Sequence, residues 1–191
     1  MNLPPHTLST HIEENDLRDR VLDLVDEIAE VIQHEEVVIV GILRGSFMFL
    51  ADLVRRLHPR GLHPRIDFMT LQSYGSGTCS SGNVQITKDI SVDLEGTTVL
   101  LVDDILDSGR TLNFAVRHVR NKGAAKVLSC CLLDKPARRV VDIQADFIGF
   151  EIPDTFVVGY GLDYMDMYRN LPYLAVLEED EIVSTEHEAK R

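Results

Sequence analysis

The chain has 191 residues, 45% of them hydrophobic, and carries 31 acidic side chains against 19 Lys and Arg, a net charge of -12. This length supports one well-buried core and is too short for two ordinary domains, so we expect a single domain over residues 1–191. The acidic balance argues against general binding of nucleic acid, which requires clustered Lys and Arg. A small anionic substrate stays compatible with it, because backbone amides and one metal ion can set the local field.

Cysteine usage and hydropathy indicate the compartment. The cysteines are Cys79, Cys130 and Cys131, and an odd count with two neighbours in an apolar run predicts reduced thiols. The N-terminal segment has neither the basic nor the apolar region of a signal peptide. No apolar run approaches the ~20 residues that span a bilayer. We therefore expect a cytoplasmic protein that does not enter a membrane.

The first part of the chain alternates between helical and strand patterns. Residues 17–32 place apolar side chains at helical spacing, with Asp16 as the expected N-cap. The nearly all-apolar, β-branched run Val37–Leu43 is typical of a buried parallel strand. A helix and then a strand are predicted after it, at Phe47–Leu57 and at 65–71.

The segment 73–83 (SYGSGTCSSGN) differs from its surroundings in composition. It consists of Gly, Ser, Thr and Asn with one tyrosine and one cysteine, and it can bury almost nothing. Two interpretations stay open: a disordered hairpin tip, or a mobile lid, because long polar loops in compact domains are often functional.

The rest of the chain continues the alternation. Strands are predicted at 84–90, 98–102, 127–133, 147–150 and 156–160. A helix begins near residue 108 and is expected to stop at Gly123. The acidic tail 178–191 is expected to fray. The alternation predicts an α/β fold with a mostly parallel sheet covered by helices on both faces.

Residues 99–112 (VLLVDDILDSGRTL) carry the strongest functional signal. A buried strand is predicted to end at Val102, and ligands of open α/β sheets bind just beyond the carboxyl ends of the strands. Asp103 and Asp104 stand at that end, and Asp107 follows. A helix then opens with four residues whose free amides, hydroxyls and missing Cβ can form a phosphate-binding cup: Ser108, Gly109, Arg110 and Thr111.

Together these groups offer hydroxyl acceptors, an acid for proton transfer and an anion cup, which a ribose 5-phosphate requires. The alternative is that Asp107 and Ser108 merely cap a helix. The two preceding acids, directly after an apolar strand, favour the binding site over that alternative. A Walker A loop is excluded, because no GxxxxGK[ST] is present, and a dinucleotide fingerprint is also absent.

The same segment resembles the phosphoribosyl-pyrophosphate signature of type I phosphoribosyltransferases, and other motifs resemble the hypoxanthine-guanine phosphoribosyltransferases. These are ILRGSFMF, the SYGSGT loop, LLDKPARR and FEIPDTFVVGYGLDYMDMYRNLPY, in the family's order and spacing over residues 10–175. The resemblance implies the type I phosphoribosyltransferase fold, a mostly parallel twisted sheet flanked by helices, with a small hood lobe formed from terminal segments. It also implies Mg²⁺-dependent transfer of the phosphoribosyl group of 5-phosphoribosyl 1-pyrophosphate to N9 of a 6-oxopurine in purine salvage.

The resemblance assigns roles around the ribose. Asp103 and Asp104 hold the ribose hydroxyls and take part in metal binding with Asp163, while Asp107 is the catalytic residue that manages the proton on purine N7. The 5-phosphate is held by Ser108, Gly109, Arg110 and Thr111.

Pyrophosphate, by the same resemblance, is bound by the backbone of Leu43, Arg44 and Gly45, a loop that usually contains a cis peptide bond. Many relatives have Lys where this chain has Arg44, and the swap matters little if main-chain groups bind the ligand. Arg169 is implied as a further pyrophosphate ligand. Two lid residues lie across the pyrophosphate, Ser73 and Tyr74.

For the base, the resemblance implies that Phe156 stacks on the purine, Val157 offers backbone groups to its edge, and Lys135 donates to the 6-oxo group. Simpler interpretations exist: Phe156 as a core side chain and Lys135 as a solvated turn residue. The partners implied are the purine base, phosphoribosyl pyrophosphate and a second copy of the chain, in a homodimer or homotetramer, with no nucleic acid.

Two other functions are compatible with the motif. One is a nucleotide-sensing regulator that keeps this fold, which the acidic balance and Lys135 disfavour. The other is a related transferase for xanthine or a pyrimidine, which the FVVGYGLDY segment disfavours. The sequence leaves the preference between hypoxanthine and guanine open.

Overall fold

The computed structural model describes residues 7–33, 35–74 and 83–177. Most of the expected lid, Cys79 and the tail 178–191 therefore lie outside the described residues. Cys130 and Cys131 are free and buried, and burial raises the pKa of both thiols. None of the described helices is both long and apolar enough to cross a bilayer.

Helices and strands alternate through the middle of the chain. The strands are β1 (Leu8–Ile12), β2 (Val37–Leu43), β3 (Arg65–Tyr74), β4 (Asn83–Lys88), β5 (Thr98–Leu106), β6 (Lys126–Asp134), β7 (Phe147–Glu151), β8 (Val157–Val158) and β9 (Leu174–Leu177). The helices are α1 (Glu14–Ile32), α2 (Phe47–Leu57) and α3 (Arg110–Asn121).

Strands β4-β3-β2-β5-β6-β7 form one sheet in that order. All its neighbouring pairs are parallel except β3 with β4, which is an antiparallel edge pair. Alternate side chains of β5 divide between the two faces: Leu100 packs on the side of α1 and α2, and Leu101 on the side of α3. Both faces are thus covered, and the predicted α/β fold is confirmed.

A second, antiparallel sheet has the order β1-β9-β8 and joins both ends of the described chain into a small lobe. The strand predicted at 156–160 is wrong in extent, because within this range only Val157 and Val158 pair with β9. Gly159 and Gly161, with φ of 101° and 106°, and Tyr160, with φ of 48°, turn the chain out of the sheet. The β1 and β9 strands are not predicted from the sequence.

Several other boundaries differ from the prediction. The N-cap of α1 is Glu13, so the expected cap at Asp16 is wrong; Asp16 lies in the first turn, where its charge still suits the positive end of the helix dipole. β4 ends at Lys88 rather than residue 90. Gly123, with φ of 90°, follows the end of α3 as expected, and its amide donates to the carbonyl oxygen of Arg120.

Candidate active site

A cleft of about 700 Å³ opens beyond the carboxyl ends of β2 and β5. Most residues expected to bind the phosphoribosyl group line it: Leu43, Arg44, Gly45, Asp103, Asp104, Asp107, Ser108, Gly109, Arg110 and Thr111. Residues 137, 138 and 140, which follow β6, close one side. The sheet therefore brings three separate motifs of the sequence to one edge.

The two adjacent acids lie inside β5, not after it. The strand expected to end at Val102 continues to Leu106, because Asp103 pairs with Cys131 and Ile105 with Leu133 of β6. Asp103 is buried and Asp104 half-buried. Burial, and then the charge of Asp104, raise the pKa of Asp103, and burial raises the pKa of Asp104. Such a pair favours a ligand that supplies hydroxyl donors or a cation.

The loop at the end of β2 lies against Asp104. The peptide bond between Leu43 and Arg44 is cis, as the resemblance implies. A Cβ on Gly45 would overlap the Asp104 carboxylate, and a Cβ on Gly161 would overlap the carbonyl oxygen of Gly45. Both positions therefore need glycine, because three chain segments meet there without room for a side chain.

The turn after β5 leads into the start of α3 at residues 108–111, where the phosphate-binding cup is expected. Gly109 adopts a φ of 82° as the N-cap of α3, and the amide of Arg110 lies 3.4 Å from Ser108 Oγ. Asp107 Oδ1 is buried and receives no hydrogen bond from any residue that the structure describes. Arg138 Nε is 3.3 Å from that oxygen, a charge contact without hydrogen-bond geometry. Asp107 thus keeps an acceptor available beside a helix start that can bind an anion.

Lys135 directly follows β6, and Phe156 directly precedes β8 of the small lobe. Lys135 is only 5% exposed and its Nζ donates to the carbonyl oxygen of Thr155 at 2.5 Å, so it is not a solvated turn residue. Burial lowers its pKa, against the nearby carboxylates of Asp107 and Asp154. Phe156 is 41% exposed, so it is not a core side chain, and its ring meets Tyr164 edge-on with centroids 5.7 Å apart. Neighbouring Val157 is buried in β8.

Asp163 is paired with Arg169, not with the β5 acids. Arg169 Nη2 lies 2.6 Å from Asp163 Oδ1, and Nη1 donates to the carbonyl oxygen of Gly161 at 2.7 Å. Among the described residues no cluster of three acidic, His or Cys side chains is close enough to hold a metal. The donor set still fits Mg²⁺, which prefers oxygen and usually binds through one or two carboxylates, with water and substrate phosphates as its other ligands.

Two ends of the expected lid are described. Ser73 and Tyr74 complete β3, paired with Val84 and Asn83 of β4. The remaining lid residues, 75–82, lie outside the described part of the chain.

Sequence reasoning missed Arg138, which contacts Asp107, and Arg139 and Asp134, which hold the same turn. The signal was present in LLDKPARR, where charged residues directly follow a buried strand. It also missed Tyr160, whose hydroxyl donates to Asp52 of α2 at 2.6 Å and so connects the segment after β8 to that helix.

Two adjacent carboxylates, a helix start and a third carboxylate with an available acceptor lie together at the carboxyl edge of a parallel sheet, an arrangement suited to binding a phosphorylated sugar. The family described as "Phosphoribosyl transferase domain" matches residues 13–165, and the chain belongs to that family. Hypoxanthine phosphoribosyltransferase from Haemophilus influenzae is 46% identical over 91% of this chain and 98% of that protein. Hypoxanthine-guanine phosphoribosyltransferase from Bacillus subtilis is 44% identical over 87% and 91%.

The chain also matches part of longer proteins. It spans 26% of the bifunctional protein TilS/HprT of Listeria monocytogenes, at 43% identity over 88% of this chain. Among solved structures, a hypoxanthine phosphoribosyltransferase from Staphylococcus aureus is 41% identical, with a TM-score of 0.85 over 90% of this chain and 92% of that one. The resemblance to this family, and the fold it implies, are confirmed.

Proposed function

We propose that the chain transfers the phosphoribosyl group of 5-phosphoribosyl 1-pyrophosphate to N9 of a 6-oxopurine, hypoxanthine with or without guanine, releasing pyrophosphate. The observation that carries this proposal is the buried Asp107 Oδ1, which accepts no hydrogen bond from the described residues and lies in the turn that leads into the start of α3. The names of the relatives, at 44% to 46% identity, support the same reaction.

The phosphoribosyl group would occupy the cleft with its 5-phosphate on the amides and hydroxyls of residues 108–111. The fixed amides of the α3 start and the positive end of its dipole favour that anion. Asp103 and Asp104 would accept the ribose hydroxyls. Their raised pKa values fit this role, because hydroxyl donors from the ligand would stabilise two adjacent carboxylates, one buried and one half-buried.

The base would lie between Phe156 and the turn at Asp107. Phe156 presents an exposed ring for stacking. Lys135 would exchange its bond to Thr155 for one to the 6-oxo group, and Val157 would offer backbone groups to the purine edge. A purine shares one proton between N7 and N9, so an Asp107 carboxylate that accepts from N7 leaves N9 a better nucleophile toward the sugar. A positioned acid-base group contributes on the order of 10²–10⁴-fold.

Pyrophosphate would leave along the loop Leu43-Arg44-Gly45, where the absence of a Cβ at Gly45 lets main-chain groups approach it. Arg169 would contact it after loosening its pair with Asp163. The Ser73 and Tyr74 end of the lid would cover it and exclude water, which would otherwise trap the cationic sugar.

Asp103, Asp104 and Asp163 are the residues that would hold Mg²⁺, which when bound would neutralise charge on the pyrophosphate oxygens. We also propose that the chain forms a homodimer or homotetramer. Light scattering of the purified protein would measure its molar mass in solution. A cytoplasmic location stays a prediction from the sequence.

The direct test is an initial-rate assay of purified protein with phosphoribosyl pyrophosphate and Mg²⁺ against five bases: hypoxanthine, guanine, xanthine, adenine and uracil. We expect transfer to hypoxanthine, with or without guanine, well above the other three. Transfer only to xanthine or uracil would refute the base assignment. Absence of transfer to any base, together with nucleic-acid retention in filter binding at moderate salt, would favour the regulator.

A further inference from the structure

The turn that carries Asp107 is held from outside by the segment that follows β6. Arg139 Nη1 donates to two of its carbonyl oxygens, that of Leu106 at 3.0 Å and that of Asp107 at 2.5 Å. The amides of Val140 and Val141 donate to the carbonyl oxygen of Ser108 at 3.0 and 3.1 Å. Three successive carbonyl groups of the turn are thus bound by one neighbouring segment.

Arg139 is itself fixed by Asp134. Its Nη2 donates to Asp134 Oδ1, and the two side chains are only 16% and 12% exposed. Asp134 is the last residue of β6 and pairs in register with Leu106 of β5, so the ion pair is anchored on the central sheet. Arg139 also reaches the phosphate cup, because a Cβ on Gly109 would lie 3.1 Å from Arg139 Cδ.

We propose that Asp134 and Arg139 are a positioning pair, which sets the distance between the Asp107 carboxylate and the phosphate cup. This inference rests on the proposed function. Only a guanidinium suits the arrangement, because its planar fork can bond two carbonyl oxygens and a carboxylate at once. The ammonium of a lysine is a compact charge on a flexible stem and does not reproduce that geometry.

The chain contains a matched arginine away from the cleft. Arg20 Nε and Nη2 donate to the carbonyl oxygens of Gly149 and Ile148, at 2.9 and 2.7 Å, and Nη1 lies 2.6 Å from Glu27 Oε1. Arg20 therefore makes the same kind of bonds, to two carbonyl oxygens and a carboxylate, on the outer strand β7. Replacing Arg20 therefore shows how much an arginine with such bonds contributes to stability when it lies away from the cleft.

The experiment compares wild type with four variants: Arg139→Gln, Arg139→Lys, Asp134→Asn and Arg20→Gln. For each we would measure kcat, KM for hypoxanthine and for phosphoribosyl pyrophosphate, IMP affinity by calorimetry, and Tm. A turn displaced by about an ångström costs on the order of 10²-fold in rate, so we expect kcat of Arg139→Gln to fall roughly 10- to 100-fold. IMP affinity should fall at least about fivefold, and KM for hypoxanthine should change less than about threefold. Arg20→Gln should lower Tm and keep kcat and IMP affinity within about twofold.

Coupling within the pair is the second readout. Asp134→Asn should lower kcat in the same direction, and the double variant Asp134→Asn/Arg139→Gln should lose less than the product of the two single losses, because both act through one contact. Arg139→Lys should restore part of Tm and little of kcat.

The inference is overturned if Arg139→Gln and Asp134→Asn lower Tm as Arg20→Gln does but keep kcat and IMP affinity within twofold of wild type. If Arg139→Gln does not fold, the near-isosteric Asp134→Asn decides by the same criteria. An inactive wild type would refute the proposed function instead; the IMP affinities of the variants would then still decide whether the pair sets the phosphate cup.

Discussion

The two sides of the cleft differ in how their polar groups are satisfied. On the side of the central sheet, Asp103, Asp104 and Asp107 present acceptors toward the cleft, on a backbone that β5, β6 and Arg139 hold in place. On the side of the small lobe, Arg169 is paired with Asp163, and Lys135 is bonded to Thr155. Under the proposed function, the first side would bind its ligand without losing a hydrogen bond, whereas Arg169 and Lys135 on the second side would exchange partners when the ligand binds. Changes on the first side should therefore affect the rate most.

The largest effect should come from removing the acceptor at Asp107. We expect Asp107→Ala to lower kcat on the order of 10²–10⁴-fold with little change in phosphoribosyl pyrophosphate affinity, because the carboxylate acts on the base. Rapid-quench kinetics and calorimetry measure the two quantities. Equal losses in both would contradict the acid-base role.

The next largest effect is expected at Gly45, whose backbone lies against the Asp104 carboxylate. Gly45→Ala should raise KM for phosphoribosyl pyrophosphate and lower kcat, together at least about 10²-fold in kcat/KM, because the methyl group displaces the loop or the acid. Gly61 is the control, since nothing lies within 4 Å of a Cβ there. Gly61→Ala should cost about 1 kcal/mol of stability from its positive φ and leave steady-state kinetics unchanged.

Replacing Lys135 tests the side of the small lobe. Lys135→Gln should lower kcat/KM for hypoxanthine roughly 10-fold or more and narrow its advantage over adenine, because a charge-assisted hydrogen bond to the 6-oxo group is lost. Competition between the two bases measures the ratio. An unchanged preference would mean that Lys135 does not read the 6-oxo group.

The raised pKa of Asp103 predicts a pH-dependent effect on stability. A carboxyl whose pKa is raised on folding contributes stability below its unfolded pKa and loses it as pH rises through the folded value. Asp103→Asn should therefore raise Tm of the ligand-free protein at about pH 8, by some 2–4 °C for each kcal/mol relieved, while lowering activity. The gain should shrink as pH falls toward about 4, where the wild-type acid is protonated; scanning calorimetry across that range would reveal a constant gain if the assignment is wrong.

The smallest effect should come from Arg44, whose side chain is 71% exposed and pairs with exposed Asp166 at 3.5 Å. Exposed pairs contribute about 0–1 kcal/mol, so Arg44→Lys should change kcat/KM by less than about threefold. A larger loss in steady-state kinetics would show that the side chain, and not the main chain, binds pyrophosphate.

The same contrast explains what the sequence could predict. Buried strands such as β2 and helices such as α2 follow from local apolar patterns, and their bounds agree with the structure. The expected phosphate-binding cup at residues 108–111 could be located from the sequence, because Ser, Gly, Arg and Thr at a helix start, directly after acids that follow an apolar strand, are typical of a ligand site. The extension of β5 through Asp103 and Asp104 could not be predicted. It depends on pairing with β6, and two adjacent acids are locally typical of a strand end.

The small lobe depends on distant partners even more. β1 and β9 come from opposite ends of the described chain, and the sequence LSTHI of β1 is mostly exposed, so its strand character depends on pairing with β9. The motif LLDKPARR places Arg139 after a buried strand, but it does not show that the side chain turns back toward residues 106–108 rather than to solvent. Both features are set by contacts between segments far apart in sequence.

A crystal structure of the chain with IMP tests the central claim most directly. We predict the 5-phosphate on the amides of residues 108–111, the ribose hydroxyls on Asp103 and Asp104, and purine N7 within hydrogen-bond reach, about 3 Å, of an Asp107 carboxylate oxygen. A phosphate bound away from the start of α3, or a base that does not reach Asp107, would contradict the account.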